Sequence, residues 1–267
     1  MEALFTYGFL QRAMLAGLFI ALSCAMLGVF LLLRKDAMIG HGLSHIAFAG
    51  VALGLFLQIM PLAVAIVFSV IASLGIMKLK ESAGLYGDTA IAILSSVGMA
   101  VGLILATMSR NFSVALLNYL FGEILAIGPA EVFLTMALAG VVVILVVVNY
   151  RSFMYLTFDR ESAQVSGIRV RRLDALITVL TSITIVLGMK VVGILLVSAL
   201  IVIPAAAGLQ LAANFKAAIV LACSVALLSV AGGLLAAFFL DLPVSGMIVL
   251  TNFFLFGLFF LFRKSRK

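Results

Sequence analysis

Polar residues in this chain gather in short clusters, and long apolar runs lie between them. A first run extends from about Phe9 to Leu33 and stops at Arg34-Lys35-Asp36. A second begins near Gly40 and ends at Gln58, ahead of Pro61. A third covers Leu62 to about Met77 and closes in Lys78-Leu79-Lys80-Glu81, and a fourth covers Thr89 to Met108 and closes at Arg110-Asn111. A fifth, Ala130–Val148, follows the Gly128-Pro129 pair, since proline sits well in the first turn of a helix. Four more come after Asp174: Ala175–Gly188, Val191–Leu211, Ala217–Leu240 and Val244–Phe262. A hydrocarbon core takes about 20 helical residues to cross. There is none of the apolar/polar alternation of an outer-membrane barrel, so the pattern predicts transmembrane helices. The first run is longer than a signal-peptide core and has no clear small-residue cleavage site, so it reads as a span.

Two stretches break the rhythm. Phe112–Ile127 is apolar but short and contains Glu123, which reads as a partial or re-entrant helix. Asn149 to Asp174 contains Arg151, Arg160, Arg169, Arg171 and Arg172 together with Asp159, Glu161 and Asp174, and reads as the one substantial polar loop. The positive-inside rule makes this loop cytoplasmic, along with the C-terminal Arg263-Lys264-Ser265-Arg266-Lys267. Counting back from them through about nine crossings puts Lys78/Lys80 and Arg34/Lys35 inside and the N-terminus outside, provided that Phe112–Ile127 does not cross. Arg12, Arg110 and Lys190 then lie towards the outside. The expected fold class is all-α: a polytopic bundle of about 8–9 spans forming a single transmembrane domain over residues 1–267.

Composition agrees. Apolar residues make up 66% of the 267 and charged residues 10%, with a mean hydropathy of +1.36. A soluble domain has about 45–50% apolar and about 25% charged residues. The net charge of +7 comes from basic residues at span ends. It is therefore a topology signal, and nothing points to a nucleic-acid partner. Cys24 and Cys223 lie inside apolar runs and read as small buried hydrophobes.

The candidate chemistry starts with His41 and His45, the only two histidines, at the head of the second run. Residues four apart share a helix face, so both imidazoles can reach one metal ion. The alternative is a pair of packing histidines bonded to backbone carbonyls or to Ser44. Glu123, in Tyr119-Leu-Phe-Gly-Glu123, either faces a cavity or sits at the interface. In Asp159-Arg160-Glu161-Ser-Ala-Gln164-Val-Ser-Gly167, Asp159 suits an N-cap and Gly167 a stop, giving a short polar helix on the inner face. That helix is either a solvated linker or a docking element for a cytoplasmic partner. Pro204 should bend or break the helix that carries it. No phosphate-cradling Gly-Lys-Ser/Thr loop, Gly-x-Ser-x-Gly or His-Glu-x-x-His is present. The chain thus has no such route to ATP binding or hydrolysis.

Taken in order, these residues resemble the membrane permease family of the ABC transporters that import zinc and manganese. Gly40-His41-Gly-Leu-Ser44-His45 followed by Gly50 resembles its Gly-Asp-x-Leu-Ser-His-x4-Gly signature. Tyr119-Leu-Phe-Gly-Glu123 resembles its Tyr-Leu-Phe-Gly-Asp/Glu element. Phe158-Asp159 through Gly167-Ile-Arg-Val looks like its coupling segment, within about 151–172. Lys190-Val-Val-Gly-Ile-Leu-Leu-Val-Ser-Ala-Leu through Pro204-Ala-Ala and Leu242-Pro-Val-Ser-Gly246 match two further motifs.

The resemblance implies a fold like that of the vitamin B12 and siderophore importers, in the cell membrane of a prokaryote. It implies a homodimer with a path between the copies, two copies of a separate ATPase that binds ATP and grips the coupling helix, and an extracytoplasmic metal-binding protein. His41 and His45 would be transit contacts for the metal, with Ser44 and Glu123 along the path and no permanently bound cofactor. Asp159, Arg160, Glu161, Gln164 and Gly167 would serve ATPase coupling.

The chain departs from the family at position 41, where histidine replaces the usual aspartate. Two imidazoles favour zinc over manganese by ligand softness; the alternative is that position 41 has drifted and His45 alone contacts the ion. The expected function is therefore the transport subunit of an ATP-driven zinc importer, itself no enzyme. The alternatives are the same architecture carrying manganese or iron, and a stand-alone ion-coupled carrier, which predicts transport without an ATPase.

Overall fold

The structure is a computed structural model that describes residues 8–82, 87–108, 118–122, 127–194 and 196–265. The membrane-length helices among these are α1 (Gly8–Leu33), α2 (Met38–Phe56), α3 (Pro61–Ser82), α4 (Gly87–Met108) and α5 (Pro129–Val148). Two short helices follow, α6 (Tyr150–Phe158) and α7 (Arg160–Val165). The last four are α8 (Val170–Val192), α9 (Val197–Leu211), α10 (Phe215–Leu240) and α11 (Val244–Ser265). No strand occurs among the described residues. Eight of these helices are long and apolar enough to cross a membrane; α9, with 15 residues, is the shorter exception.

Contacts between helix ends give the direction of each pass. Lys80 at the end of α3 pairs with Asp36, which precedes α2. Arg34 after α1 pairs with Asp174 near the start of α8. Phe215, opening α10, meets Phe30 of α1 and Tyr150 and Phe158 of α6 at ring distances of 5.3, 5.6 and 5.5 Å. Such pairs contribute about 0.5–1.5 kcal/mol each beyond area burial. All of these groups lie at one end of the bundle. At the other end Lys190 pairs with Glu131, in the first turn of α5, at 3.4 Å. Hence α9 runs from the Lys190 end back to the Phe215 end and completes a pass in about 22 Å of helix. Both α4 and α5 abut the Lys190 end, so the chain between them begins and ends on one side, as expected of a segment that does not cross. Most of Phe112–Ile127, including Glu123, lies outside the described residues.

Three sequence expectations change. The polar stretch Asn149–Asp174 is mainly helical, forming α6, α7 and the first turn of α8. Asp159 caps α7 by accepting from the Ser162 backbone N–H at 2.9 Å. Gly167, at φ +80, closes it: the Gly167 N–H donates to the Gln164 carbonyl and the Ile168 N–H to the Ala163 carbonyl, the Schellman pattern. Second, the expected span Val191–Leu211 is divided. Val191 and Val192 end α8, and the chain breaks at Gly193, whose φ of +87 and ψ of 157 only glycine adopts readily. A Cβ there would lie 2.4 Å from the Leu120 carbonyl oxygen. The Ile194 N–H donates to the Tyr119 carbonyl at 3.1 Å, tying this break to residues 118–122. Third, α9 continues through Pro204 without interruption. Proline forfeits only the bond to the Leu200 carbonyl, and a buried helix tolerates that loss where neighbours pack around it.

Burial separates inner from outer helices. In α1, α2 and α8, 72% of the most apolar window is buried inside the chain, against 22% in α4 and 17% in α11. The outer helices therefore turn apolar side chains such as Val97, Leu103, Leu250 and Phe254 outward, towards lipid or another protein.

Candidate functional site

The His41–His45 pair owes its position to the packing of α2 on α4. The two helices run in the same direction and approach closely because small residues line the seam. A Cβ on Gly98 would lie 2.9 Å from Ile46 Cα, and one on Gly42 would lie 2.2 Å from the Ile91 side chain. Gly42 thus packs α2 against α4, while its neighbour His41 lies at the edge of the contact and is exposed.

At i and i+4 the two rings stack edge to face, with centroids 4.5 Å apart and planes at 85°. The Nε2 atoms are 3.2 Å apart, one ring donating to the other. Two nitrogens on one tetrahedral zinc, each at about 2.0–2.1 Å, are separated by about 3.3–3.4 Å. The pair is therefore close to a bidentate arrangement. His45 Nδ1 is buried and has no hydrogen-bond partner among the described residues. Metal-binding histidines usually have that second nitrogen held by a partner, which strengthens them as ligands about 10–100-fold. A ligand without this support, as at His45, suits a contact that must release its ion.

Both imidazoles open onto a groove of 460 Å³ lined also by Ser95, Ser96, Met99, Ala100 and Leu103 of α4. Ser95 is about 10 Å along the helix axis from Asp88, so the groove lies within the span, beyond its end. Among the described residues no third His, Cys, Asp or Glu joins the pair. A closed four-ligand site therefore needs donors from elsewhere.

Ser44, expected on the path, is fully buried, and its hydroxyl donates to the His41 carbonyl at 2.7 Å. It braces the first turns of α2 without lining the groove. The serines that do line it, Ser95 and Ser96, escaped sequence reasoning; adjacent hydroxyls in the middle of an apolar run were the available signal.

At the charged end of the bundle, α7 presents Arg160, Glu161 and Gln164 on its exposed surface. The Asp159 carboxyl is held below its ordinary value by bonds from the Ser162 hydroxyl and the Ser162 backbone N–H. Arg160 reaches from α7 to Asp174 Oδ2 at 2.7 Å. The structure thus brings four of the five expected coupling residues onto one capped turn-and-a-half of helix, with Gly167 as its stop. None of them lines the groove onto which the histidines open.

Residues 6–263 match the ABC 3 transport family. The chain is similar to the high-affinity zinc uptake system membrane protein ZnuB of Haemophilus influenzae, with 35% identity over 95% of this chain and 97% of that protein. It is also similar to the manganese import system permease protein ScaB of Streptococcus parasanguinis, with 32% identity over 100% of this chain and 95% of that one. Among solved structures, PsaBC from Streptococcus pneumoniae in complex with Fab superposes with a TM-score of 0.88 at 29% identity, over 97% of this chain and 93% of that chain. An inward-facing transporter described as of the metal-chelate ABC type shares the fold, with a TM-score of 0.76 at 18% identity.

Proposed function

Because the chain belongs to the ABC 3 transport family, we propose that it is the membrane-spanning permease subunit of an ATP-driven importer of divalent transition metal ions, with zinc as the cargo. The observation that carries this reading is the His41–His45 pair, with its nitrogens 3.2 Å apart on an open groove inside the span. A donor set of two imidazoles and no carboxylate favours zinc over the harder manganese ion. Two donors are half of a tetrahedral shell, and a second copy of the chain across the groove supplies the other half. The ion passes between the copies, held loosely enough to leave.

ATP is hydrolysed on a separate ATPase, two copies per transporter, which grips α7 through Arg160, Glu161 and Gln164. An extracytoplasmic metal-binding protein delivers the ion at the Lys190 end. The charged end, with the C-terminus, faces the cytoplasm of a prokaryotic cell, as its basic residues require. Glu123 belongs to the path.

Replacing both histidines with alanine abolishes growth rescue in metal-limited cells while the protein still accumulates in the membrane. Full rescue by the double variant would refute the site. Uptake with zinc and manganese competing in one assay identifies the cargo, and a preference for manganese replaces the zinc assignment. Transport in liposomes without an ATPase would instead make the chain a stand-alone carrier.

A further inference from the structure

Five charged side chains from four segments meet where α7 joins the bundle. Asp174 of α8, buried, accepts from Arg34 through Oδ1 and from Arg160 of α7 through Oδ2. Arg34 also approaches Asp36 at 3.7 Å through Nε, and Asp36 accepts from Lys80 of α3 at 2.7 Å. The side chains surround a cavity of 250 Å³ that Ile39 of α2 also lines. Asp36 lies two residues before the start of α2, and its carbonyl accepts from the Ile39 N–H at 3.0 Å. His41 follows five residues after Asp36, about 7.5 Å along the axis.

Two acids in a cavity below the histidines could be a station on the ion's way out, but the charge count argues otherwise. Arg34, Lys80 and Arg160 outnumber Asp36 and Asp174, so the cavity carries a net positive charge and repels a divalent cation. The arrangement is mechanical instead. Asp174 has two guanidinium partners, one of which, Arg160, is 57% exposed on the surface that docks the ATPase. Arg34 Nη1 is buried without a partner among the described residues, and its contact to Asp36 is long. Arg34 therefore has a spare donor with which to shift its weight between the two carboxylates, which is how a packed network acquires two discrete states.

We propose that the network Arg160–Asp174–Arg34–Asp36–Lys80 is the positioning element that ties α7 to the root of α2, so that displacement of α7 by its partner moves the His41–His45 pair. This rests on the importer reading above. None of the five touches the ion; each acts through α2.

The test uses this chain assembled with its ATPase and binding protein in liposomes, and reads labelled zinc imported per ATP hydrolysed. Asp174→Asn keeps an acceptor but removes the charge, and it lowers that ratio about tenfold, within the range of ordinary coupling energies. The ATPase still co-purifies at the wild-type ratio, and Asp174→Glu restores import. An unchanged import-to-hydrolysis ratio, or loss of the ATPase from the complex, overturns the proposal. Removing one partner of a buried ion pair can prevent folding. If Asp174→Asn does not accumulate, Lys80→Gln at the more exposed edge carries the same readout, and an unchanged ratio there overturns it equally. Failure of the importer reading looks different: the wild-type complex itself then imports no metal.

Discussion

On the proposed reading, His41 is the residue with the largest say in which ion the groove favours. A carboxylate at this position would add a negative charge and a hard oxygen donor, and would shorten the reach towards a shared ion. His41→Asp should lower the zinc-to-manganese uptake ratio by about tenfold, since harder oxygen ligands suit manganese and imidazole suits zinc. Competition uptake in metal-starved cells measures this, and an unmoved ratio would show that position 41 does not set selectivity. Position 45 behaves differently. His45 is half-buried beside a fully buried Ser44, so on the proposed reading His45→Ala removes a ligand that no neighbour among the described residues replaces, and import of both metals should fall together.

Two glycines with similar φ values separate backbone strain from crowding at the level of elements. A methyl group added to Gly167, at φ +80, would have nothing within 4 Å, whereas one added to Gly193, at +87, would meet the Leu120 carbonyl oxygen at 2.4 Å. Gly167→Ala should therefore cost only the left-handed penalty of about 1–2 kcal/mol. Gly193→Ala should cost more than about 3 kcal/mol, because residues 118–122 must move as well. Thermal unfolding of the detergent-solubilised protein compares the two, and equal losses would contradict the packing at the helix break. The α7 cap adds a pH dependence. The Asp159 carboxyl is held below its ordinary value of 3.8, so its contribution is fully present above that value. It disappears as the pH falls through the lower folded value. Asp159→Asn should leave hydrogen exchange across residues 160–165 without the acid-dependent rise that the native cap shows. A rise of equal size in both proteins would mean that the cap does not hold the helix.

For the whole molecule, the open groove and the sparse burial of α4 point the same way. If the proposed site is shared by two copies of the chain, the face lined by exposed Ala100 and Leu103 is the one that meets its equivalent. With Cys24 and Cys223 replaced, a single Ala100→Cys should cross-link two copies under mild oxidation in native membranes. Added zinc should change the yield if the two grooves share the ion as proposed. Monomers alone, with the cysteine reactive to a thiol reagent, would contradict the proposed pairing of the two grooves.

Local chemistry decides most of what is legible in this sequence. Lipid demands that backbone polar groups be satisfied within each segment, so helix number and order follow from apolar run length. The basic clusters predict a sidedness, and Asp159 and Gly167 mark a short helix through bonds no more than a few residues long. The i, i+4 spacing alone juxtaposes the two imidazoles. What tertiary structure decides depends on partners distant in sequence. Gly193 is a break because residues 118–122 need its missing side chain, while Pro204, the stronger local signal, stays inside a helix that its neighbours support. Ser44 turns into the core and Ser95 and Ser96 take its place at the groove, since the packing of α2 on α4 sets which face stays open. Arg34, Asp36, Lys80 and Asp174 read along the chain as charges at span ends. Only their convergence from separate helices makes them one network beneath the histidines.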